Sequence, residues 1–387
     1  MKKIKEIVLK AYMFFCNKIF GVDVKKVVFV SFSGKSYSCN PKAISEKLHE
    51  LNSDIKIVWL FNNPEEKSKS VPEYIKCVKN RSMKSFKELA TSKVWVSNFG
   101  MSTGSYKSNK QKYIQTWHGD RGFKKVLYDY WTLLPNGCYK EGSLFETENA
   151  DLMTVGSSFG IKKIRGAFAY NRDLIKSGSP RNDMLIQGDD LKKNAIKKSI
   201  NLSINSKIVL FAPTFRTDSK GKEQKIKELN FKEFIEELNL KNASKKEDWF
   251  LLVRGHSVSG GLRIGDECKY VIDVTNYDDM AELLLIADVF ITDYSSSAGD
   301  FILRKKPMVL FQPDSEKYTS KERSLYFDIK DSPFIVAKNQ EELMNKIVVM
   351  TEKDAVKNCE DIMDFYGVFE TGEASKKVAE YIMDQCK

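Results

Sequence analysis

Residues 26–61, KVVFVSFSGKSYSCNPKAISEKLHELNSDIKIVWLF, hold one complete strand–helix–strand unit. Lys26–Ser33 and Ile55–Phe61 are short runs rich in β-branched and aromatic residues, and Pro41–Leu51 between them reads as a helix. That order and spacing make a parallel α/β unit. The pattern continues outward. Tyr74–Val78, Lys93–Ser97, Lys112–Thr116 and Asp151–Val155 read as further strands, with a helix over Ser85–Ala90. Ser177–Asp190 (SGSPRNDMLIQGDD) is dense in turn residues and marks a domain boundary, ahead of a Lys-rich helix. A second series follows: strands at Lys207–Phe211, Trp249–Val253, Tyr270–Asp273, Val289–Thr292, Met308–Phe311 and Pro333–Val336, with helices at Phe231–Leu238, Met280–Ala287, Ser297–Leu303 and Gln340–Thr351. The organisation expected is a helix over 1–20, one α/β domain over 21–180, a second over 181–370, and a helix within 371–387 packing back on the first. Two such domains imply a cleft between them, with ligands at the carboxyl ends of strands.

The chain has 387 residues, 42% of them hydrophobic and 30% charged, enough apolar material for two cores and too much for a disordered chain. Lys and Arg number 63 and Asp and Glu 52, so the formal charge is +11. That surplus suits an anionic partner: nucleic acid, an anionic membrane surface or a phosphate-rich substrate. Cys16, Cys39, Cys77, Cys138, Cys268, Cys359 and Cys386 stand singly, with no CxxC pair, which excludes a complete disulfide framework and zinc-finger spacing. They read as reduced thiols of a cytosolic protein. No apolar run is long enough to span a bilayer. In the first twenty residues, Ile4, Val8, Tyr12, Phe15 and Ile19 recur at helical spacing among lysines. This helix either lies in the headgroup region of an anionic membrane or packs on its own domain.

Of three histidines, His49 sits at a polar helix end, whereas His118 and His256 each directly follow a strand. Imidazole titrates near neutrality and can take a proton from an attacking hydroxyl. Arg254 and His256 are two residues apart, on the same side of an extended chain, and together make a phosphate clamp. The strand Val289–Thr292 runs into Asp293-Tyr294-Ser295-Ser296-Ser297 and a helix. Free amides, hydroxyls and the positive dipole end at that helix start make an anion site. Arg216 in LFAPTFR and Arg181 in GSPRND add basic groups at a strand end and at the boundary turn.

QTWHG, GSPRND, LFAPTFR, LVRGH and DVFITDYSSSAGDFILRKKPMVLFQPDSEKY, followed by RSLYFD, occur in this order between Gln115 and Phe327. On these motifs the chain resembles the CDP-glycerol glycerophosphotransferase family of teichoic-acid primases and polymerases and related capsule polymerases. The resemblance implies a GT-B fold, two Rossmann-like domains with the CDP-alditol in the C-terminal one. It implies attack of an acceptor hydroxyl on the β-phosphate of CDP-glycerol, or CDP-ribitol, releasing CMP. His118 matches the family's base, and His256, with Arg254 beside it, matches the histidine that holds the diphosphate or assists the leaving CMP. Thr292, Asp293, Ser295 and Ser296, with Ser297 after them, match the nucleotide and phosphate region. Arg216, Arg181 and Asp183 match motif positions without an assigned role. Where the family reads HGTPLK, this chain reads His118-Gly119-Asp120-Arg121-Gly122-Phe123-Lys124, which alters the acceptor-side turn at Gly119 and Asp120. No cofactor is required on this reading, and no metal residue is assigned, although Asp293 and Asp300 leave a divalent ion open. The partners expected are the CDP-alditol, a lipid-linked glycan or teichoic acid acceptor, and the anionic cytoplasmic face of the plasma membrane; nucleic acid is not among them. A GT-B glycosyltransferase using a nucleotide sugar is the competing enzyme reading. A non-catalytic module binding nucleic acid or an anionic polymer is the third, and it leaves two strand-end histidines without a purpose.

Overall fold

The computed structural model describes residues 2–101, 105–131, 148–214, 229–243, 247–255, 268–315 and 324–387. The chain forms two compact units. The first comprises Met1–Asp120, Val126–Asp183 and Phe369–Lys387; the second comprises Arg121–Lys125 and Met184–Val368. The change of unit thus falls after Asp183, inside the turn-rich stretch and a few residues beyond 180.

Among the described residues the first unit is built on seven parallel strands: β1 (Asp23–Val30), β2 (Lys56–Phe61), β3 (Ile75–Lys79), β4 (Ser92–Ser97), β5 (Lys112–Gln115), β6 (Leu152–Thr154) and β7 (Asp173–Ile175). Their order is β3-β2-β1-β4-β5-β6-β7, so the winding reverses between β1 and β4. The period-two alternation of a strand sends its side chains to opposite faces. Val28, Val30, Val58 and Leu60 join one core with Met13, Phe86, Leu89 and Ile164. Val27, Phe29, Ile57 and Trp59 join the other with Ile44, Leu48, Val378 and Ile382. Helices Lys2–Phe20, Met83–Thr91 and Ser158–Ala167 therefore cover one face, and Cys39–Leu51 and Ala374–Gln385 the other. A buried Leu, Ile or Phe contributes about 1.5–3 kcal/mol, so a sheet covered on both faces stands on apolar burial. The helix Met83–Thr91 starts on a capping box in which Ser82 and Ser85 each bond the other's backbone amide.

The N-terminal helix has two unlike apolar stripes. One stripe packs on its own unit: Met13 and Cys16 are buried, and Asn17 Nδ2 donates to the Ala90 carbonyl at 2.7 Å. Another apolar face remains open, with Ile7 66%, Phe15 60% and Ile19 72% exposed. No helix among the described residues is long and apolar enough to cross a membrane.

Among the described residues the second unit has six parallel strands: β8 (Lys207–Phe211), β9 (Trp249–Val253), β10 (Val271–Asp273), β11 (Val289–Thr292), β12 (Met308–Phe311) and β13 (Val336–Ala337). Their order is β10-β9-β8-β11-β12-β13, with the reversal between β8 and β11. Val209, Phe211, Leu251, Val253, Ile291 and Val309 point into a core closed by Phe231–Lys241 and Gln340–Val349. On the opposite face Phe290 meets Phe301 at 5.1 Å between ring centroids. Residues 121–125 lie against 324–326, with Tyr326 N donating to Phe123 O and Lys125 N to Ser324 O.

Candidate active site

In each unit the motif residues gather where the winding reverses, the place where loops diverge and an open α/β sheet binds ligands. In the first unit β4 gives way to Asn98, which is fully buried. Asn98 Oδ1 accepts from Phe32 N at 2.8 Å and its Nδ2 donates to Ser31 Oγ at 3.2 Å, tying the ends of β1 and β4 together. Beside them β5 ends at Gln115, and Thr116 and Trp117 lead to His118. His118 Nδ1 lies 2.8 Å from the Asn98 carbonyl oxygen. A carbonyl can only accept, so Nδ1 carries a proton, and in the neutral ring Nε2 is the accepting nitrogen. The rings of Trp117, Phe32 and Phe99 surround the imidazole at 4.2, 5.5 and 5.7 Å between centroids and fix its plane.

The turn around His118 is held at its carbonyls. Thr154 Oγ1 donates to Thr116 O at 3.2 Å, Asn40 Nδ2 to Trp117 O at 3.0 Å, and Lys163 Nζ to Gly119 O at 3.0 Å. Lys163 is buried, which pushes its pKa down to about 8 while Asp120 and Asp129 pull upward. Phe32, Ser33 and Trp117 have φ of 44°, 57° and 52°. Left-handed backbone at non-glycine residues costs about 1–3 kcal/mol each and persists only where surrounding bonds enforce it, typically at functional sites.

Several residues expected to meet substrate are engaged internally. Asp120 Oδ2 accepts from Gly156 N at 2.9 Å and Ser157 Oγ at 3.1 Å, at the start of the helix Ser158–Ala167. A Cβ on Gly160 would come within 2.6 Å of that oxygen, so the glycine admits the carboxylate. Arg121 is fully buried in the second unit, where its Nε donates to Gly299 O at 2.7 Å and its Nη2 reaches Asp300 Oδ1 at 3.3 Å. The departure Asp120-Arg121 from the family's Thr-Pro is thus absorbed by partners inside the protein. Arg181 is buried, with its backbone N on Asn40 Oδ1 at 3.0 Å and Nη1 3.9 Å from Cys39 Sγ. Asp183 accepts from Ala374 N at 2.9 Å and from Ser375 N at 2.7 Å, which caps the C-terminal helix; burial raises its pKa and these bonds lower it. The GSPRND turn therefore anchors the C-terminal helix to the first unit.

In the second unit β9, β8 and β11 are neighbours, with Val253, Phe211 and Ile291 in one row of the ladder. Arg254, Ala212 and Thr292 follow in the next row, about 10 Å across two strand spacings. Thr292 Oγ1 donates to Ala212 O at 2.7 Å. Asp293 accepts from Thr214 N at 2.9 Å and Thr214 Oγ1 at 3.0 Å, while Gln312 Nε2 donates to Asp293 O at 3.1 Å. Thr292 and Asp293 thus shape the loop after β8; Asp293 accepts from Thr214, and Asp300 pairs with Arg121. Ser295 and Ser297 share a 2.7 Å hydroxyl contact, and Ser296 stands at the N-cap of Ser297–Phe301 with no side-chain cap bond. Arg254 Nη1 touches Met280 Sδ at 3.5 Å, and no described carboxylate lies within ion-pair distance of it. Burial lowers its pKa, and Asp279 and Asp278 offset this in part. A half-buried guanidinium with no ion pair among the described residues favours an anionic ligand. His256 and Arg216 lie outside the described residues.

The sequence reading missed Asn98, Asn40, Lys163 and Thr214. Asn98 has a usable signal, a polar residue directly after the apolar strand VWVS. Lys163 has none, because one lysine of IKKIR looks like another.

A family model described as CDP-Glycerol:Poly(glycerophosphate) glycerophosphotransferase matches residues 11–384. A teichoic acid glycerol-phosphate transferase of Staphylococcus aureus is 32% identical over 370 residues, covering 92% of this chain and 92% of its own length. A teichoic acid poly(glycerol phosphate) polymerase of Bacillus subtilis is 31% identical over 391 residues, 96% of this chain but 51% of the polymerase, so the chain spans about half of that relative. Among solved structures, the wall teichoic acid polymerase TagF superposes with a TM-score of 0.83 at 27% identity, over 100% of this chain and 96% of that one. The fold class is accordingly GT-B, with two Rossmann-like units. With the family model spanning nearly the whole chain, this protein belongs to the CDP-glycerol:poly(glycerophosphate) glycerophosphotransferase family.

Proposed function

We propose that the protein transfers glycerol phosphate from CDP-glycerol to a hydroxyl of a teichoic acid acceptor and releases CMP. The acceptor oxygen attacks the β-phosphorus, the bond from that phosphorus to the CMP oxygen breaks, and the acceptor proton passes to His118 Nε2. The observation that carries this reading is the His118 Nδ1 bond to the Asn98 carbonyl, which makes Nε2 the accepting nitrogen of the neutral imidazole. Arg254 supplies positive charge for the diphosphate, and the amides and hydroxyls of Ser295–Ser297 supply donors. His256 takes the role implied by its motif, holding the diphosphate or assisting the leaving CMP. Phosphoryl transfer asks little covalent chemistry of a protein beyond a base, in-line positioning and cationic clamping.

The exposed face of the N-terminal helix supports peripheral attachment to an anionic membrane. Ile4, Ile7, Val8, Phe15 and Ile19 are open on a helix that also carries exposed Lys5, Lys10 and Lys18. The testing experiment is nucleotide release from a donor panel (CDP-glycerol, CDP-ribitol, UDP-sugars and CMP-sugars) with a glycerol-phosphate acceptor. The proposal expects CMP release from CDP-glycerol at the highest kcat/KM. Turnover of UDP- or CMP-sugars alone would replace this reading with glycosyl transfer.

A further inference from the structure

The peptide that joins Asn98 to Phe99 is held at both ends. Its oxygen accepts from His118 Nδ1 at 2.8 Å, and its N–H donates to Ser97 Oγ at 3.1 Å. Both Ser97 and Asn98 are buried, at 1% and 0% exposure. Which imidazole nitrogen carries the proton in the neutral ring is set by the bond that the other atom's neighbour offers, so the tautomer of His118 depends on where this one carbonyl points.

The Asn98 side chain fixes that direction. A backbone N–H can only donate, so the 2.8 Å contact with Phe32 N belongs to Oδ1, and Nδ2 is left to donate to Ser31 Oγ at 3.2 Å. One planar amide thus serves two successive residues after β1, with an acceptor for one and a donor for the other. Phe32 has φ of 44°, and its ring centroid lies 5.5 Å from that of His118. The same amide therefore holds a left-handed backbone in place and seats a ring that packs on the imidazole. Thr116 N donates to Ser97 O at 2.8 Å, which ties the strand end that leads to His118 into the same corner.

We infer that Asn98 is a positioning residue for His118: its side chain aims its own carbonyl at Nδ1 and seats the Phe32 ring, and so selects the neutral imidazole with the proton on Nδ1. Asn98 acts through the histidine and not on the reacting atoms. The inference rests on the phosphotransfer reading for its purpose, whereas the tautomer it names is a property of the folded chain alone.

The test reads that tautomer directly. The chain has three histidines, His49, His118 and His256, so an imidazole nitrogen–proton correlation NMR spectrum of protein isotope-labelled on histidine holds three ring systems, and His118→Asn identifies one of them. At alkaline pH, wild type is expected to show His118 protonated on Nδ1 alone. Leucine has the branching of asparagine but neither donor nor acceptor. Asn98→Leu should show both tautomers and lose about ten- to hundred-fold in kcat, with equilibrium binding of CDP-glycerol unchanged. Asn98→Asp keeps an acceptor for Phe32 N and a partner for the Ser31 hydroxyl, so it should restore the single tautomer and most of the turnover. Should Asn98→Leu not fold, Ser31→Ala decides: it removes only the partner of Nδ2, and it should show a minor second tautomer with a smaller fall in kcat. A wild-type proton on Nε2 would overturn the inference. So would an unmixed Nδ1 tautomer in Asn98→Leu, or in Ser31→Ala where that variant decides, whatever the turnover. Equal losses in Asn98→Asp and Asn98→Leu would overturn the assignment to the two amide bonds. Absence of CMP release in wild type would instead strike the phosphotransfer reading, with the spectra still deciding what Asn98 does.

Discussion

Removal of the Asp300 carboxylate is expected to be severe because of what it leaves behind. Arg121 has no solvent exposure, with its Nη2 3.3 Å from Asp300 Oδ1 and its Nε 2.7 Å from Gly299 O. Gly299 itself has no room for a side chain, since a Cβ there would stand 2.5 Å from Arg121 Cβ and 2.6 Å from Arg121 O. The guanidinium is closed off from water where it stands. Deleting one partner of a buried ion pair costs about 3–5 kcal/mol, whereas replacing both by apolar groups of similar volume is near neutral. Asp300→Leu and Arg121→Met should each destabilise by about 3–5 kcal/mol, and the double variant by far less than the sum. Urea unfolding of the four proteins measures this, with Trp249 fluorescence reporting the second unit. Additive losses below about 1 kcal/mol each would mean that the pair is solvated, and would refute the reasoning.

Three further outcomes follow from particular contacts. Lys163 has a folded pKa of about 8 against an ordinary 10.5, so between those values the unfolded chain holds the extra proton; this site makes stability rise with pH across that window. Lys163→Met should remove that upward slope and also lower kcat, as Gly119 O loses its donor; an identical slope in the variant would contradict the assignment. Asp183→Ala should cost about 1–2 kcal/mol of helix capping. It should speed hydrogen exchange in Ala374–Gln385 without changing CDP-glycerol affinity, and unaltered exchange would refute the cap. Met13, Cys16 and Asn17 are part of the first unit, so membrane attachment is tested by Ile7→Glu with Phe15→Glu rather than by deleting the helix. Each buried apolar side chain is worth about 1.5–3 kcal/mol, and the double variant should lose sedimentation with phosphatidylglycerol vesicles; retained binding would exclude this face.

The alternation of β-branched runs with helical stretches made both sheets legible, because buried parallel strands are continuous apolar runs. β7 escaped notice because it is only Asp173–Ile175, too short to show a period. Glu352–Tyr366 went unassigned although it carries its own punctuation, a Thr351–Asp354 capping box and Gly367 at φ 60°. The strand-end positions read for His118 and Arg254 are those the structure has, just after β5 and β9. The same logic could not tell Asp120, Asp183 and Thr292 from ligand-facing groups, since a carboxylate or hydroxyl in a motif serves a helix cap or a loop carbonyl equally well. Nor could it pair Asn98 with His118, because that contact is made by a backbone carbonyl that any residue possesses.

His118→Asn keeps an amide donor near the Asn98 carbonyl but has no atom at the Nε2 position. The account predicts that CMP release from CDP-glycerol falls about 10²- to 10⁴-fold in this variant while equilibrium binding of CDP-glycerol is unchanged. Turnover within a few-fold of wild type would show that the acceptor proton leaves by another route.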